Sequence, residues 1–75
     1  MTKYEIVMQK IEELEYNDTV VCAIQLDNGT VLCMDEMLMD KTVLSRTIAL
    51  GTVSIEEYEE NGYECDGLDY IWIKL

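Results

Sequence analysis

Apolar residues recur at helical spacing near the start of the chain, directly after a capping motif. Thr2 and Glu5 stand three residues apart, the spacing of a capping box at a helix N-terminus. The pattern predicts an amphipathic helix from residue 3 to about 15, which Asn17-Asp18 ends. The predicted buried stripe comprises Tyr4, Val7, Met8, Ile11 and Leu14, and the polar face comprises Glu5, Gln9, Glu12, Glu13 and Glu15.

Two alternating runs of residues on either side of Asn28-Gly29 predict a β-hairpin over residues 19–35. Asn-Gly favours a two-residue type I′ turn, in which both residues have positive φ. Such a turn would pair Leu26 with Val31 and Ile24 with Cys33. The predicted core face comprises Val20, Cys22, Ile24, Leu26, Val31 and Cys33, and the predicted half-covered face comprises Val21, Ala23, Gln25, Leu32 and Met34.

Residues 36–53 fit neither the helical nor the strand period. Asp40 is a good N-cap for a short helix ending near Gly51. The β-branched residues of the segment favour a strand entered through a loop instead. We predict a strand over about 45–53. The β-branched residues are Thr42, Val43, Thr47, Ile48, Thr52 and Val53.

A second capping motif, Ser54 with Glu57, predicts a short helix over about 55–61. Val53 and Tyr58 are spaced as its hydrophobic staple, and Asn61-Gly62 is a typical stop. Residues 63–67 are predicted to form a loop and residues 69–75 a terminal strand. We expect core positions for Tyr58, Ile71 and Ile73, and exposed positions for Tyr63 and Trp72.

The predicted element order is therefore α-β-β-(β)-α-β. This order is typical of a small α+β domain whose helices pack on an antiparallel or mixed sheet of three or four strands. A chain of 75 residues is near the lower limit for one hydrophobic core, so we expect residues 1–75 to form a single domain.

Charge is the most unusual property of the composition. Sixteen Asp and Glu against five Lys and Arg, with no histidine, give a formal charge of −11, although 49% of the residues are hydrophobic. Such a surface repels nucleic acid and anionic lipid, so we expect neither as a direct partner. The chain has no signal peptide pattern and no long apolar run, and its three cysteines are an odd number. We therefore expect a cytoplasmic protein with reduced thiols.

Enzymatic chemistry has little support in the sequence. Without histidine, acid–base catalysis would depend on carboxylates, and these lie in segments predicted to be solvated. Cys22, Cys33 and Cys65 match no zinc spacing, and Cys22 and Cys33 fall on the predicted core face. No calcium loop or phosphate-binding glycine motif is present. We expect no catalytic residue, no metal and no cofactor.

The acidic residues are unevenly distributed. Residues 56–69 contain seven acids and no cation, whereas residues 43–55 contain no acid. Spread evenly over roughly 4,700 Å², the net charge would be about fourfold more dilute than the phosphates of duplex DNA. Only acids gathered on one side would resemble a phosphate backbone. The candidate binding residues are Glu56, Glu57, Glu59, Glu60, Tyr63, Glu64, Asp66, Asp69 and Trp72, joined by Asp35, Glu36 and Asp40.

These features predict a non-enzymatic protein that presents a phosphate-like surface to a basic nucleic-acid-binding protein and blocks it. In size and charge the chain is similar to phage-encoded inhibitors of defence nucleases, such as anti-CRISPR and anti-restriction proteins. The alternative is a small structural or oligomerising module whose acidity serves solubility. In that case the terminal strand with Tyr70 and Trp72 would be a homodimer interface.

Overall fold

The protein is α+β. The computed structural model describes residues 1–34, 40–61 and 69–75. Within these ranges the elements are α1 (Lys3–Tyr16), β1 (Thr19–Leu26), β2 (Val31–Cys33), α2 (Lys41–Leu44), β3 (Thr47–Ser54), α3 (Ile55–Glu60) and β4 (Ile71–Lys74). The four strands form one antiparallel sheet in the order β2-β1-β3-β4, which confirms the predicted fold class. None of the described helices has the length and apolar character needed to cross a membrane.

Helix α1 follows the prediction closely. The Thr2 side chain accepts a hydrogen bond from the Glu5 N–H, and the Glu5 carboxylate accepts one from the Thr2 N–H, so the capping box is complete. Val7 and Ile11 are buried, and the rest of the predicted stripe packs against the same core cluster. This cluster joins α1 to Ile24 of β1 and Leu50 of β3. The acids of the opposite face are exposed.

The predicted hairpin between β1 and β2 is confirmed, but the predicted turn type and strand register are wrong. Its loop has three residues, because the Leu26 N–H donates to the Thr30 carbonyl at 2.8 Å. Gly29 has a φ of 87°, but the φ of Asn28 is not positive. A type I′ turn requires a positive φ at both central residues. Ile24 therefore pairs with Leu32, one residue away from the predicted register.

Contacts with β3 explain the longer loop. The Asp27 N–H donates to the carbonyl of Arg46 at 2.9 Å, so this backbone group is used outside the hairpin. The guanidinium of Arg46 also donates to the Asp27 carboxylate at 2.9 and 3.1 Å. These bonds draw Asp27 towards the start of β3 and leave Asn28 and Gly29 to reverse the chain.

A β-bulge also changes the faces predicted for β1. The pairing of β1 with β3 shifts between Val21 and Ala23, so Val21 and Ile24 both enter the core beneath α1. Cys22 instead packs with Val53 in a second cluster. The predicted core face is thus divided: Ile24 and Leu26 lie in the first cluster with Leu32 and Met34, Val20 and Cys22 lie in the second, and Val31 is half exposed.

Each of the two interpretations of residues 36–53, a helix capped by Asp40 and a strand, is partly correct. The strand is confirmed as β3, Thr47–Ser54. Asp40 also caps a helix, because its carboxylate accepts the N–H groups of Thr42 and Val43 at 2.8 and 3.1 Å. That helix, α2, is one turn long and ends at Leu44, far short of Gly51.

The elements at the C-terminal end also largely agree with the prediction. The Ser54 hydroxyl accepts the Glu57 N–H at 3.2 Å, and Tyr58 packs against the cluster that contains Val53, its predicted staple partner. Helix α3 ends with Asn61 as its C-cap, and the predicted loop of residues 63–67 lies outside the described residues. The core position predicted for Ile71 is wrong, because β4 is an edge strand and Ile71 is 71% exposed.

Candidate acidic binding surface

The C-terminal end of α1 and the beginning of α3 lie at the same end of the molecule. Only Asn17 and Asp18 connect α1 to β1, and the first residue of β1, Thr19, pairs with Ser54, the last residue of β3. The Ile55 N–H then donates to the Asp18 carbonyl at 2.9 Å. Antiparallel pairing of β1 with β3 therefore brings the end of α1 beside the start of α3 although about forty residues separate them in the chain.

This arrangement collects acids from three parts of the chain. Asp69 joins them because β4 begins at Ile71, which pairs with Thr52 near the start of α3. We call this set the acidic end: Glu12, Glu13, Glu15, Asp18, Glu56, Glu57, Glu59, Glu60 and Asp69. All are exposed except Glu57, which is partly exposed. Lys10 lies beside this set, with its ammonium 3.7 Å from the Glu13 carboxylate, and Lys74 lines a cleft together with Lys10 and Glu13.

The charges of the described residues nearly cancel at the other end of the molecule. We call it the hairpin end, since it contains the loop between β1 and β2, the helix α2 and the first residues of α1 and β3. The Lys41 ammonium lies 5.4 Å from the centre of the Tyr4 ring, which places α2 beside the start of α1. The described charges here are Lys3, Lys41, Arg46 and Lys74 against Glu5, Asp27 and Asp40.

The predicted candidate residues divide between these regions. Glu56, Glu57, Glu59, Glu60 and Asp69 belong to the acidic end. Asp40 does not join them: it caps α2, about 20 Å away along α1 by helical rise. Asp35, Glu36, Tyr63, Glu64 and Asp66 lie outside the described residues.

Trp72 lies on the sheet face opposite α1, where Tyr58 of α3 and Tyr70 pack against the cluster of Cys22 and Val53. The Trp72 ring covers Gly51, where an added Cβ would lie 3.1 Å from the ring atom Cη2. Tyr70 contacts the same ring edge to face, with ring centres 5.9 Å apart. Trp72 remains 43% exposed, as predicted, so one side of the indole packs on the sheet and the other faces solvent.

Sequence reasoning missed the acids of α1 as members of the site. Glu12, Glu13 and Glu15 are assigned correctly to an exposed helix face, but the proximity of the end of α1 to the start of α3 depends on the pairing of β1 with β3. The short connection of two residues between α1 and β1 could have indicated that the end of α1 belongs to the site. It forces the end of α1 to lie beside the start of β1, and thus beside any element that follows the partner strand.

The helix dipoles oppose the acids in the last turns of α1 and α3, whereas Glu56 and Glu57 lie in the first turn of α3, where the dipole favours them. The C-terminus of an α-helix carries partial negative charge, so acids in the last turn destabilise it by about 0.3–1 kcal/mol each at the surface. Neither α1 nor α3 has a basic residue in its last turn. Glu56 and Glu60 are also like-charged neighbours four residues apart. The acidic end therefore forms at a cost in stability.

Charge density is high only locally. The surface area is 4866 Å², or about 440 Å² for each net charge, against about 110 Å² per phosphate for duplex DNA. If the acidic end covers half the surface, its density is one net charge per about 300 Å², still roughly threefold too dilute. Helix α3 is different. Its four glutamates occupy about 9 Å of helix, or about 2 Å of helix axis per charge. This spacing is close to the ~1.7 Å per charge along duplex DNA.

No group of three His, Cys, Asp or Glu side chains among the described residues is placed to hold a metal ion. No family model, curated protein or solved structure matches the chain.

Proposed function

We propose that this protein is a non-enzymatic, cytoplasmic inhibitor whose acidic end occupies the nucleic-acid site of a basic protein. One observation carries the proposal: the acids of α1 and α3, distant in sequence, are gathered at one end of the fold. Neutralising cations lie mainly at the other end, so the charges of the described residues are polarised along the molecule. A polarised molecule approaches a basic groove with its acidic end first.

The charge spacing indicates how much nucleic acid this surface would imitate. Glutamates follow one another along α3 at about 2 Å of helix axis per charge, but the helix is only six residues long. Such a surface replaces a few phosphates rather than a long duplex. Its best target is therefore a short, strongly basic groove that binds nucleic acid.

Nucleases of phage-defence systems are the partner class that we favour. Their nucleic-acid channels are positively charged, and high net acidity in a small domain supports competition for such a channel. The similarity of this chain to anti-CRISPR and anti-restriction inhibitors is limited to size and charge. The partner is therefore defined here by its chemistry: a basic groove that holds a nucleic-acid backbone.

Affinity capture at two salt concentrations tests the proposal. The tagged protein is incubated with a bacterial lysate that contains defence nucleases, at about 0.05 M and about 0.5 M salt. We expect a nucleic-acid-binding protein to be retained at low salt and released at high salt or by added duplex DNA. Charge reversal of Glu56, Glu57, Glu59 and Glu60 should reduce retention. Retention that resists both salt and DNA would contradict the proposal.

A further inference from the structure

Strand β4 is an edge strand of the described sheet, with one side that no other described strand pairs with. Among the described residues it pairs only with β3, and that pairing contains no bulge. The Leu75 N–H donates to the Ile48 carbonyl at 3.0 Å, and backbone groups of alternate residues point to opposite sides of a strand. The N–H and C=O of Trp72 therefore point away from β3, towards the open edge.

This edge lacks most of the features by which edge strands avoid pairing, such as proline, several charged side chains or a bulge. The chain contains no proline, and Lys74 is the one charged residue within β4. Ile71 is 71% exposed and Leu75 is 38% exposed. Ile6 of α1 is 47% exposed, and it lines a cleft of about 350 Å³ with Leu75 and with the polar residues Gln9, Lys10, Glu13 and Lys74. Exposed apolar side chains and unpaired backbone groups thus occur on the same edge.

The polarity of the molecule selects the direction of pairing. Strand β4 runs from the acidic end, at Asp69, towards the hairpin end, at Lys74. Parallel pairing of two copies would place their acidic ends side by side. Antiparallel pairing places the acidic end of each copy beside Lys74 of the other, which separates like charges and joins opposite ones.

We infer that β4 is the docking edge for a second copy of this chain, which adds its own β4 in antiparallel orientation around a two-fold axis beside Trp72. Trp72 then exchanges both backbone hydrogen bonds with Trp72 of the other copy, and Ile71 faces Ile73 across the junction. The result is a continuous eight-stranded sheet. Dimerisation through β4 does not require the acidic end to bind a partner, so either proposal can fail alone.

Sedimentation velocity and tryptophan fluorescence test this inference together. Trp72 is the only tryptophan in the chain, so the fluorescence reports on β4 directly. At about 1 M salt the Debye length is about 3 Å, and repulsion between two copies is screened. On raising the protein concentration to millimolar, we expect conversion to a dimer and a blue shift of the emission over the same range. A protein that stays monomeric, or that dimerises without a shift in emission, overturns the inference.

A matched pair of variants locates the interface. Ile71→Lys introduces a charge on the open edge of β4, and Val31→Lys makes the same kind of change on β2, the opposite edge strand. Both residues are more than half exposed, so we expect both variants to fold, with circular dichroism as the check. Ile71→Lys should weaken the dimer at least tenfold while Val31→Lys leaves it unchanged. Equal effects, or a loss confined to Val31→Lys, overturn the inference.

Discussion

The backbone N–H of Ile55 donates to the carbonyl of Asp18 at 2.9 Å, and this bond joins the end of α1 to the start of α3. Asp18 has a φ of 58°, a left-handed conformation that Asp tolerates better than most residues. It turns the chain from α1 into β1 within two residues. The proximity of the two acidic helices thus follows from one tight connection and one strand pairing.

Replacing an acid at the end of α3 should stabilise the protein. In Glu60→Lys a cation stands near the helix C-terminus and four residues after Glu56, so the dipole and the side-chain pair both become favourable. We expect the free energy of unfolding to rise by about 0.5–1 kcal/mol in urea denaturation. The proposed binding should weaken in the same variant.

The control for Glu60→Lys must change the net charge equally elsewhere. Thr30→Lys combined with Thr42→Lys also adds two positive charges, both at exposed positions of the hairpin end. If the stability gain comes from local helix electrostatics, the double variant should gain less than Glu60→Lys. Equal gains would assign the effect to lower overall repulsion.

Gly51 should be coupled energetically to Trp72. An added Cβ would lie 3.1 Å from the indole and 3.3 Å from the Cβ of Ala23, so Gly51→Val crowds both neighbours. We expect a loss of about 1–3 kcal/mol in the free energy of unfolding. In a Trp72→Ala background the loss should be smaller, because the ring is absent.

A double-mutant cycle measures this coupling directly. Chemical denaturation of the wild type, both single variants and the double variant gives the interaction energy. Because Trp72 is absent from two of the four proteins, circular dichroism is the common probe. An identical cost of Gly51→Val in both backgrounds would mean that the indole does not restrict this position.

The hairpin loop should depend on Gly29 more than on Asn28. Gly29 has a φ of 87°, so Gly29→Ala forces alanine into the left-handed region at about 1–2 kcal/mol. Asn28→Ala loses only the hydrogen bond from the Thr30 N–H to the Asn28 side chain, worth about 1 kcal/mol or less. Thermal unfolding of the two variants gives the comparison. A greater loss from Asn28→Ala would favour the two-residue turn.

Local signals were sufficient to predict most of the elements. Thr2 with Glu5 and Ser54 with Glu57 locate two helix starts, because caps involve residues that are close in sequence. The register of the hairpin was not predictable in this way. Its loop depends on Arg46, nineteen residues after Asp27, and the bulge in β1 depends on pairing with β3.

The candidate site was predictable to a similar extent. The α3 glutamates follow from the uneven charge along the chain, and their exposure follows from a short helix with a single staple residue. The contribution of Glu15 and Asp18 depends on tertiary contacts, as does the separation of Asp40 from the other acids. Sequence therefore identifies the charged segments, and strand pairing determines which of them meet.

Competition with DNA tests the placement of charge most directly. The probe is a captured partner bound to fluorescent duplex DNA, titrated with the protein at about 0.1 M salt while anisotropy is measured. Glu59→Gln with Glu60→Gln, and Thr30→Lys with Thr42→Lys, both change the net charge from −11 to −9. We predict about fivefold weaker displacement of DNA for the α3 variant, and displacement within about twofold of wild type for the hairpin-end variant. Equal weakening by both variants would contradict the account, because bulk charge rather than the acidic end would then determine binding.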